Sequence, residues 1–395
     1  MAPERIVIVG GGLAAARVCQ QLRVEGFTGE LVLVGAETHL PYDRPPLSKD
    51  VLVGKRDESA LRFDPGALAI QLRLGIEATA LDTANHTVQT TDGELDFDRL
   101  VLATGATPIR LPGDGEQLTL RTLDDSLRLR ERLQPGARVV VIGASWIGAE
   151  VATAALSRGS SVTCVEAGPA PCAQALGVDV ARSLLPWWRD VDILLDTPVE
   201  AVVPGGVMLR DGRELLADVV VTGVGVRPTT GWLVDSGLEL RRGVVVDEHL
   251  RTSDPDIVAV GDVAARWSPR WQAHVHVEHW DEAVTAPTAA ARTLLHDPSS
   301  GELAPHDPIP YFWSDQFGHK VQYVGHHTAD DTVVWRDPDD GTGRAVAWLT
   351  PDGRLTAVLA VDRPKELVQA RRAIAAGASP NPQRLADPAI SYVDA

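Results

Sequence analysis

The stretch RIVIVGGGLAAARVCQQL, residues 5–22, decides the fold of this chain. Residues 5–9 form a short apolar run rich in β-branched side chains, which predicts a strand buried on both faces. Three glycines follow directly, and the apolar spacing of residues 13–22 predicts a helix. A second apolar run at residues 31–34 comes before Glu37. The order strand, glycine turn, helix, strand and acid predicts a βαβ unit with the fingerprint of a dinucleotide site.

Each small residue of this glycine turn has a physical role. Gly10 allows the tight turn, and Gly12 lets a pyrophosphate approach the backbone because it has no side chain. Ala15 takes the third small position, where helix and strand pack closely. We expect the N–H groups of the helical turn that begins at Leu13 to face the phosphates, and Glu37 to accept hydrogen bonds from the adenosine ribose.

The composition limits the kinds of protein that this chain can be. Its 395 residues suffice for about two or three domains with sizeable cores. The formal net charge of −17 argues against a general nucleic-acid-binding protein. No apolar run approaches the roughly 20 residues that span a bilayer, and the first strand begins too early to leave room for a signal peptide. We therefore expect a cytoplasmic protein without a membrane segment.

The cysteines predict no redox dithiol. Cys19, Cys164 and Cys172 form neither a CxxC nor a CxxxxC pair. Their spacing therefore indicates neither a disulfide framework nor a reactive pair, and it is typical of a protein of the reducing cytosol.

The βαβ pattern occurs a second time. Residues 138–142 predict a strand, residues 143–148 carry a glycine turn, and residues 161–165 predict the strand that ends at Glu166. An internal repeat of this unit predicts two dinucleotides in one chain. A βαβ unit that binds no nucleotide is the alternative.

The second copy has its own features at Ser145 and Glu166. Ser145 stands where the fingerprint has its middle glycine, so its side chain would either crowd the pyrophosphate or hydrogen-bond to it, and we expect looser binding. Glu166 can accept hydrogen bonds from a free ribose 2′-hydroxyl and repels a 2′-phosphate, which favours NADH over NADPH. A solvated loop acid is the alternative interpretation of Glu166.

Several other segments carry small or polar residues at places where a ligand crevice is expected. The strands that end at Thr104, Gly225 and Gly261 line such a crevice in open α/β sheets, and Asp262 would either point into it or cap the next helix. The proline-rich loop at residues 41–49 is either the wall of a nucleotide site or a surface turn.

Apolar spacing and a capping serine predict further elements of secondary structure. We predict a helix at residues 68–74, a helix capped by Ser48, and a meander formed by residues 193–195, 199–203 and 207–209. The histidines at 274, 276 and 279 predict a structural role and no metal site. We predict a linker at residues 296–310 before a third unit. For the last dozen or so residues, the sequence indicates no well-defined structure.

These motifs resemble those of the oxygenase-coupled, NADH-dependent ferredoxin reductases, the family of putidaredoxin reductase and the biphenyl dioxygenase reductase component. That family belongs to the glutathione-reductase-like flavoproteins, and the resemblance covers nearly the whole chain. Its most specific parts are RPPLSK at residues 44–49, LATG at 102–105, GAE at 148–150, VGD at 260–262 and FWSDQ at 312–316.

The resemblance implies an α/β fold with two Rossmann-like dinucleotide-binding domains and a C-terminal α+β domain. The FAD domain would take residues 1–108 and resume at 240–308. The NAD domain would be inserted between them at residues 109–239, and the C-terminal domain would take residues 309–395.

The resemblance also implies the roles of individual residues. Glu150 would sit near Lys49 beside the reactive flavin nitrogen, and this ion pair would tune the flavin ring and position the nicotinamide. The other FAD contacts would come from Gly10, Gly12, Leu13, Ala14, Glu37, Arg44, Ala78, Thr104, Gly105, Arg121, Gly261, Asp262, Trp280 and Trp313. The NAD contacts would come from Gly143, Ser145, Trp146, Ile147, Gly148, Glu150, Glu166 and Gly225.

The activity that the resemblance implies is that of an FAD-dependent NADH:ferredoxin oxidoreductase. NADH would reduce one non-covalent FAD per chain, and single electrons would pass to a small iron–sulfur ferredoxin that supplies a cytochrome P450 or a ring-hydroxylating oxygenase. Rubredoxin, a quinone or oxygen as acceptor is one alternative. A non-catalytic, NAD-sensing flavoprotein like apoptosis-inducing factor is another.

A small basic patch stands in the otherwise acidic chain. Such a patch is usually a solvated helix face. Our hypothesis is that it helps to dock an acidic ferredoxin. The patch consists of Arg363, Lys365, Arg371 and Arg372.

Overall fold

The computed structural model describes residues 3–297, 299, 301–337 and 343–395. The first strands are β1 Arg5–Val9, β2 Glu30–Gly35, β3 Ile70–Leu74, β4 Ala78–Asp82, β5 Thr87–Thr90, β6 Gly93–Asp96, β7 Arg99–Leu102, β8 Ala106–Pro108, β9 Arg138–Ile142, β10 Ser161–Val165, β11 Asp192–Leu194, β12 Val199–Val203, β13 Gly206–Leu209 and β14 Glu214–Leu216. The later strands are β15 Val219–Thr222, β16 Val226–Pro228, β17 Val244–Val246, β18 Ile257–Ala259, β19 Ala264–Ser268, β20 Ala273–His276, β21 Tyr311–Gln316, β22 His319–Gly325, β23 Thr332–Trp335, β24 Arg344–Leu349 and β25 Leu355–Val361.

The helices complete the description of the secondary structure. The α-helices are α1 Leu13–Val24, α2 Leu123–Arg132, α3 Trp146–Ser157, α4 Ala173–Leu176, α5 Val178–Arg182, α6 Trp280–Leu295, α7 Pro364–Ala375 and α8 Pro382–Leu385. Short 3-10 helices form at Pro45–Ser48, Leu185–Trp188, Gly231–Leu233 and Gly261–Val263. Among the described residues, no helix combines the length and the apolar character that crossing a membrane requires.

The chain divides into two compact units, the first formed by Met1–Asp43, Ala60–Thr107 and Arg227–Pro310. Its central sheet has the strand order β18-β7-β1-β2-β3, and every pairing in it is parallel. Ile6, Val7 and Ile8 of β1 are fully buried, because a parallel sheet is covered on both faces. The strands predicted at residues 5–9 and 31–34 are confirmed.

The helix predicted at residues 68–74 is wrong. Residues Ile70–Leu74 form β3, which pairs in parallel with β2 from Leu31↔Ile70 to Gly35↔Leu74. The segment alternates apolar and polar side chains, IQLRL, and this period of two is typical of a strand. The sheet partner decides the conformation of a segment that is too short to be assigned from apolar content alone.

The second unit is formed by Arg44–Ser59, Pro108–Val226 and Tyr311–Ala395. It contains a parallel sheet in the order β11-β10-β9-β15, which is the core of the repeated βαβ pattern. Its C-terminal part is an antiparallel sheet in the order β21-β22-β25-β24-β23 with α7 packed against it. The chain therefore carries two Rossmann-like folds and a C-terminal α+β domain.

Two other predictions from apolar spacing need correction in this unit. Residues 192–194 form β11 and join the parallel sheet, so the antiparallel meander consists of β12, β13 and β14 instead. Ser48 ends the 3-10 helix Pro45–Ser48 and caps no helix. Its hydroxyl donates to Glu150 instead, which is a partner that local sequence does not reveal.

The C-terminal residues have a well-defined structure, contrary to the prediction. Arg336 is fully buried, and its guanidinium donates to the carbonyls of Leu385, Asp387 and Ile390. The same group lies 4.2 Å over the ring of Tyr392. A buried guanidinium requires many acceptors, and the tail supplies them as backbone carbonyls.

Candidate functional site

The first glycine turn, between β1 and α1, has the geometry of a phosphate-binding loop. Gly10 has a φ of +130°, and a Cβ there would lie 2.1 Å from the carbonyl oxygen of Ala103. Only glycine fits this position. A Cβ built on Gly12 would meet no atom of the described residues within 4 Å, apart from its own chain neighbours. The helix α1 begins at Leu13 without a side-chain cap. The first helical turn therefore offers its N–H groups to an anion, and the open space admits a pyrophosphate.

Other residues predicted for FAD converge on this turn. A Cβ on Gly261 would lie 3.3 Å from the Cβ of Ala14, which brings the end of β18 to the start of α1. Thr104 follows the carbonyl that Gly10 approaches, and its hydroxyl donates to Thr229 O at 2.9 Å. Gly105, with a φ of +67°, continues the same turn.

The adenosine-end residues form a second cluster in this unit. The hydroxyl of Tyr42 donates to the carboxylate of Glu37. The N–H of Gly75 donates to Glu37 O at 3.1 Å, and β4 starts shortly after at Ala78. The loops that follow β2 and β3 thus meet at Glu37 and Gly75, three residues before Ala78 begins β4.

Asp262 and Trp280 lie at the ends of two further elements of the first unit. Asp262 is the middle residue of the 3-10 helix Gly261–Val263, and the strand β19 follows this turn, so the interpretation as a cap of the next helix is wrong. Trp280 is the first residue of α6, and its indole Nε1 donates to Asp43 Oδ1 at 2.7 Å. Burial raises the pKa of Asp43. Asp43 therefore fixes the orientation of the Trp280 ring.

The second glycine turn, between β9 and α3, repeats the tight geometry of the first. Gly143 has a φ of +94°, and a Cβ there would lie 2.6 Å from Gly223 O. A Cβ on Gly148 would lie 2.0 Å from Gly143 O. Both positions therefore require glycine, as close packing of helix and strand in a dinucleotide loop does.

Ser145 does not extend into the space of the loop. Its hydroxyl accepts from Gly148 N at 3.1 Å and donates to Gly223 O at 2.7 Å. The serine is the N-cap of α3 and ties the loop to the strand beside it. The side chain that the sequence places against the pyrophosphate is thus turned inward.

Glu166 spans the second turn with both carboxylate oxygens. Oε2 accepts from Ala144 N at 2.7 Å, and Oε1 accepts from Gly168 N at 2.7 Å. The acid that would select the ribose therefore also fixes the backbone of the glycine turn. Gly225, with a φ of +108°, follows β15 and accepts from Ile109 N at 3.0 Å.

Lys49 and Glu150 form an ion pair in the second unit. Lys49 Nζ lies 2.8 Å from Glu150 Oε2, and the side chains of Lys49 and Glu150 are 22% and 4% exposed. The proline-rich 3-10 helix positions the lysine, and the early part of α3 positions the acid. Such a buried pair keeps a positive charge at a defined place that solvent screens poorly.

The sequence did not predict two further members of this group. Ser48 donates to Glu150 Oε2 and Ser314 donates to Glu150 Oε1, the latter at 2.7 Å. Both serines lie within the motifs that carry the family resemblance, RPPLSK and FWSDQ. Their presence in these motifs is the sequence feature that could have pointed to them, but it does not predict which atoms they contact.

The other predicted contact residues of the second unit pack against residues of the same unit. Arg44 Nη1 donates to Arg121 O at 2.6 Å, so these two arginines are adjacent. Trp146, at the start of α3, packs on Phe312 with ring centroids 5.0 Å apart. Trp313 stacks on Tyr311 at 6.1 Å. Ile147 is 38% exposed.

The thiols have the properties of structural cysteines. All three are free, and Cys19 and Cys164 are buried. Burial raises the pKa of Cys19 to about 12 and also raises the pKa values of Cys164 and Cys172. Thiols of this kind stay protonated and are poor nucleophiles.

One group in the described part of the chain has the spacing of a metal site. It comprises His86, Asp254 and Asp256. Arg99 Nη1 lies 2.5 Å from Asp256 Oδ1, so an ion pair accounts for the group. His276, of the triplet considered above, has its Nε2 at 2.8 Å from Asp262 O.

The basic patch is divided by the structure. Lys365, Arg371 and Arg372 of α7 are exposed. Arg363 is half-buried, pairs with Glu366 at 2.8 Å and donates to a backbone carbonyl. Arg363 therefore belongs to the fold, and the other three side chains are accessible.

Comparison with known proteins gives matches along the whole chain. Residues 4–286 match the pyridine nucleotide-disulphide oxidoreductase family, and residues 311–394 match the reductase C-terminal family. The chain is 36% identical over 408 residues to the anthranilate 1,2-dioxygenase system ferredoxin–NAD(+) reductase component of Burkholderia cepacia, covering 99% of this chain and 98% of that protein.

Solved structures match over the same length. The crystal structure of Fdr9 has 59% sequence identity and a TM-score of 0.95, covering 98% of each chain. Putidaredoxin reductase, in its covalent complex with putidaredoxin, has 33% identity and a TM-score of 0.89, covering 99% of this chain and 97% of that chain.

Proposed function

The chain belongs to the pyridine nucleotide-disulphide oxidoreductase family, and we propose that it is an FAD-dependent NADH:ferredoxin reductase. The observation that carries the proposal is the pair of glycine turns, each too tight for any other residue at Gly10, Gly143 and Gly148. Two such turns supply sites for a flavin dinucleotide and for a nicotinamide dinucleotide.

The likeness to reductases supports ferredoxin as the acceptor. The relative from Burkholderia cepacia is the ferredoxin–NAD(+) reductase component of a dioxygenase system. Putidaredoxin reductase has been solved in a complex with putidaredoxin. We assign to this chain the same kind of partner, an iron–sulfur ferredoxin that feeds a ring-hydroxylating oxygenase or a cytochrome P450. The cytoplasmic location stays a prediction.

We propose that each of the two Rossmann-like domains binds one of the two nucleotides. We assign FAD to residues 1–108 and 240–308, NADH to residues 109–239, and the C-terminal domain to residues 309–395. The FAD that these residues would hold would supply hydride acceptance from NADH and release of single electrons to the ferredoxin.

The residues of the chain bind and orient these groups. The open space at Gly12 and the uncapped start of α1 receive the pyrophosphate. Glu37 accepts from the adenosine ribose, and Asp262 accepts from the ribityl chain. Trp280, held by its hydrogen bond to Asp43, lies against the flavin ring.

The ion pair of Lys49 and Glu150 supplies electrostatic control. It holds one positive charge at a fixed place through a buried carboxylate, and we assign to this charge the tuning of the flavin. The buried, protonated thiols support direct electron release, because a disulfide reductase of this family would need a reactive cysteine pair.

An anaerobic absorption titration tests the proposal. The purified protein should be yellow, one equivalent of NADH should bleach it, NADPH should have little effect, and oxidised putidaredoxin should restore the colour. Reoxidation by rubredoxin, a quinone or oxygen, but not by putidaredoxin, would assign another acceptor. A yellow protein that NADH does not bleach would be a binding protein, and a protein that takes up no FAD would contradict the cofactor assignment.

A further inference from the structure

Glu150 is surrounded by four hydrogen-bond donors from two segments other than its own helix. Lys49 Nζ, at 2.8 Å, and the hydroxyl of Ser48 donate to Oε2. The hydroxyl of Ser314 donates to Oε1 at 2.7 Å, and Asp315 N donates to the same oxygen at 3.3 Å. Every donor in this group lies in the second unit.

We propose that Ser48 and Ser314 are positioning residues of the reductase site, which set the place of the Glu150 carboxylate and, through it, the place of Lys49. The inference deepens the proposed function and rests on it. The C-terminal sheet thereby contributes to the placement of the Lys49–Glu150 ion pair, because Ser314 belongs to β21.

Burial makes the serine donors necessary. Glu150 is 4% exposed, Ser48 is 6% exposed and Ser314 is 1% exposed. A carboxylate removed from water to this extent loses its hydration, which hydrogen bonds and a positive charge must replace. Lysine can satisfy one oxygen, and Ser314 with Asp315 N satisfies the other.

The C-terminal strand is fixed in register against α3. One helical turn after Glu150, the hydroxyl of Thr153 accepts from Phe317 N at 2.9 Å. The ring of Phe317 packs on Trp188 with centroids 4.8 Å apart. Two polar contacts along one helix face, with an aromatic anchor at the hairpin tip, hold Ser314 opposite Glu150.

Ser48 contacts both members of the ion pair. Its Oγ lies 3.4 Å from Lys49 Nζ as well as within hydrogen-bond distance of Glu150. Lys49 Nζ otherwise reaches Pro45 O only at 3.5 Å. Without the serines, the carboxylate could turn about its terminal bond, and the ammonium group would follow it.

Two substitutions of Ser314 separate positioning from packing. Ser314→Ala removes the hydroxyl, whereas Ser314→Cys keeps the volume and leaves only a weak donor. The matched control is Ser160→Ala, which removes another buried hydroxyl of the second unit that donates at 3.0 Å to Gln134 O, away from the Glu150 group. Stopped-flow measurement of flavin reduction by NADH gives the limiting rate and the Kd of NADH for each variant.

We expect both Ser314 variants to lower the limiting rate about tenfold, as loss of one hydrogen bond to a charged group does, with the Kd of NADH unchanged. Ser160→Ala should keep the wild-type rate. In a Glu150→Gln background, Ser314→Ala should cause no further loss, because the serine acts through the carboxylate. A wild-type rate in Ser314→Cys, or multiplicative losses in the double variant, would overturn the proposal.

A second readout separates this proposal from the proposed function. If NADH fails to reduce the wild-type flavoprotein, the function is wrong, but the same double-mutant cycle can be read from urea unfolding. Coupling between Ser314→Ala and Glu150→Gln in the free energy of unfolding would support the positioning contact. Strictly additive losses would contradict it.

Discussion

Lys49 Nζ and Glu150 Oε2 lie 2.8 Å apart, although 101 positions separate the two residues in the chain. The lysine ends a turn that prolines make stiff, and the acid lies on a helix that starts at a nucleotide turn. Both partners are therefore held by rigid elements. This arrangement fixes the ammonium group of Lys49 beside the helix that begins at the second glycine turn.

Replacing Glu150 by Gln should slow flavin reduction. The amide keeps the size of the side chain but removes the charge that fixes Lys49, so we expect the limiting rate to fall at least about tenfold. Stopped-flow absorbance under anaerobic conditions measures this rate. The control is Glu131→Gln, an exposed acid of the same unit, which should behave as the wild type. Equal rates in both variants would show that the ion pair does not matter for reduction.

Replacing Glu166 by Ala should weaken the preference for NADH. The variant loses the acceptor for the ribose 2′-hydroxyl and the support of two backbone N–H groups, so the affinity for NADH should fall about tenfold. The affinity for NADPH should fall less, because repulsion of its 2′-phosphate is also removed. Titrations with both nucleotides measure this, with Glu200→Ala as an exposed control. An unchanged ratio of affinities would rule out the assigned role.

Charge reversal on α7 should weaken ferredoxin binding. Arg372→Glu and Lys365→Glu should each raise the KM for putidaredoxin about threefold or more at low ionic strength, and less at high salt because of screening. Arg354→Glu, another exposed arginine of the same unit, is the control. Arg363 is unsuitable for this test because it pairs with Glu366 within the fold. A KM that is insensitive to these changes at low salt would place the docking surface elsewhere.

His327 should make stability depend on pH in the acid range. It stacks on Trp348 with centroids 4.4 Å apart and hydrogen-bonds Tyr323, and burial lowers the pKa of His327 to about 4. In the unfolded chain the pKa is about 6.5, so between these values the unfolded state binds more protons. Stability should therefore fall as the pH decreases from about 6.5 to 4. The Tm of His327→Phe should fall less over this window; parallel curves for the two proteins would contradict the prediction.

Sequence patterns predicted those parts of the fold that depend on residues close together in the sequence. Both βαβ units follow from apolar runs and glycine turns, because a tight turn and a buried parallel strand restrict the residues at each position. Gly10 and Gly148 are examples, since a Cβ at either position would collide with a carbonyl oxygen.

The features that the sequence patterns did not predict depend on contacts between residues far apart in the chain. Ser145 was expected at a pyrophosphate, but Gly223, directly after the strand β15, accepts its hydrogen bond. Residues 70–74 became a strand because β2 offered a parallel edge. The tail looked unspecified because its partner, the buried Arg336, lies about 50 residues earlier.

The strand order of the first unit has a consequence for the growing chain. β18 completes the five-stranded sheet by pairing with β7, but β7 ends at Leu102 and β18 begins only at Ile257. At usual rates of translation, the ribosome needs on the order of ten seconds to cover that distance. During this time β7 presents an unpaired edge that other chains could join. Ribosome-bound chains that stall before Ile257 should therefore be the most prone to aggregate, and the inserted sheet, β9 to β15, can fold while the first one waits.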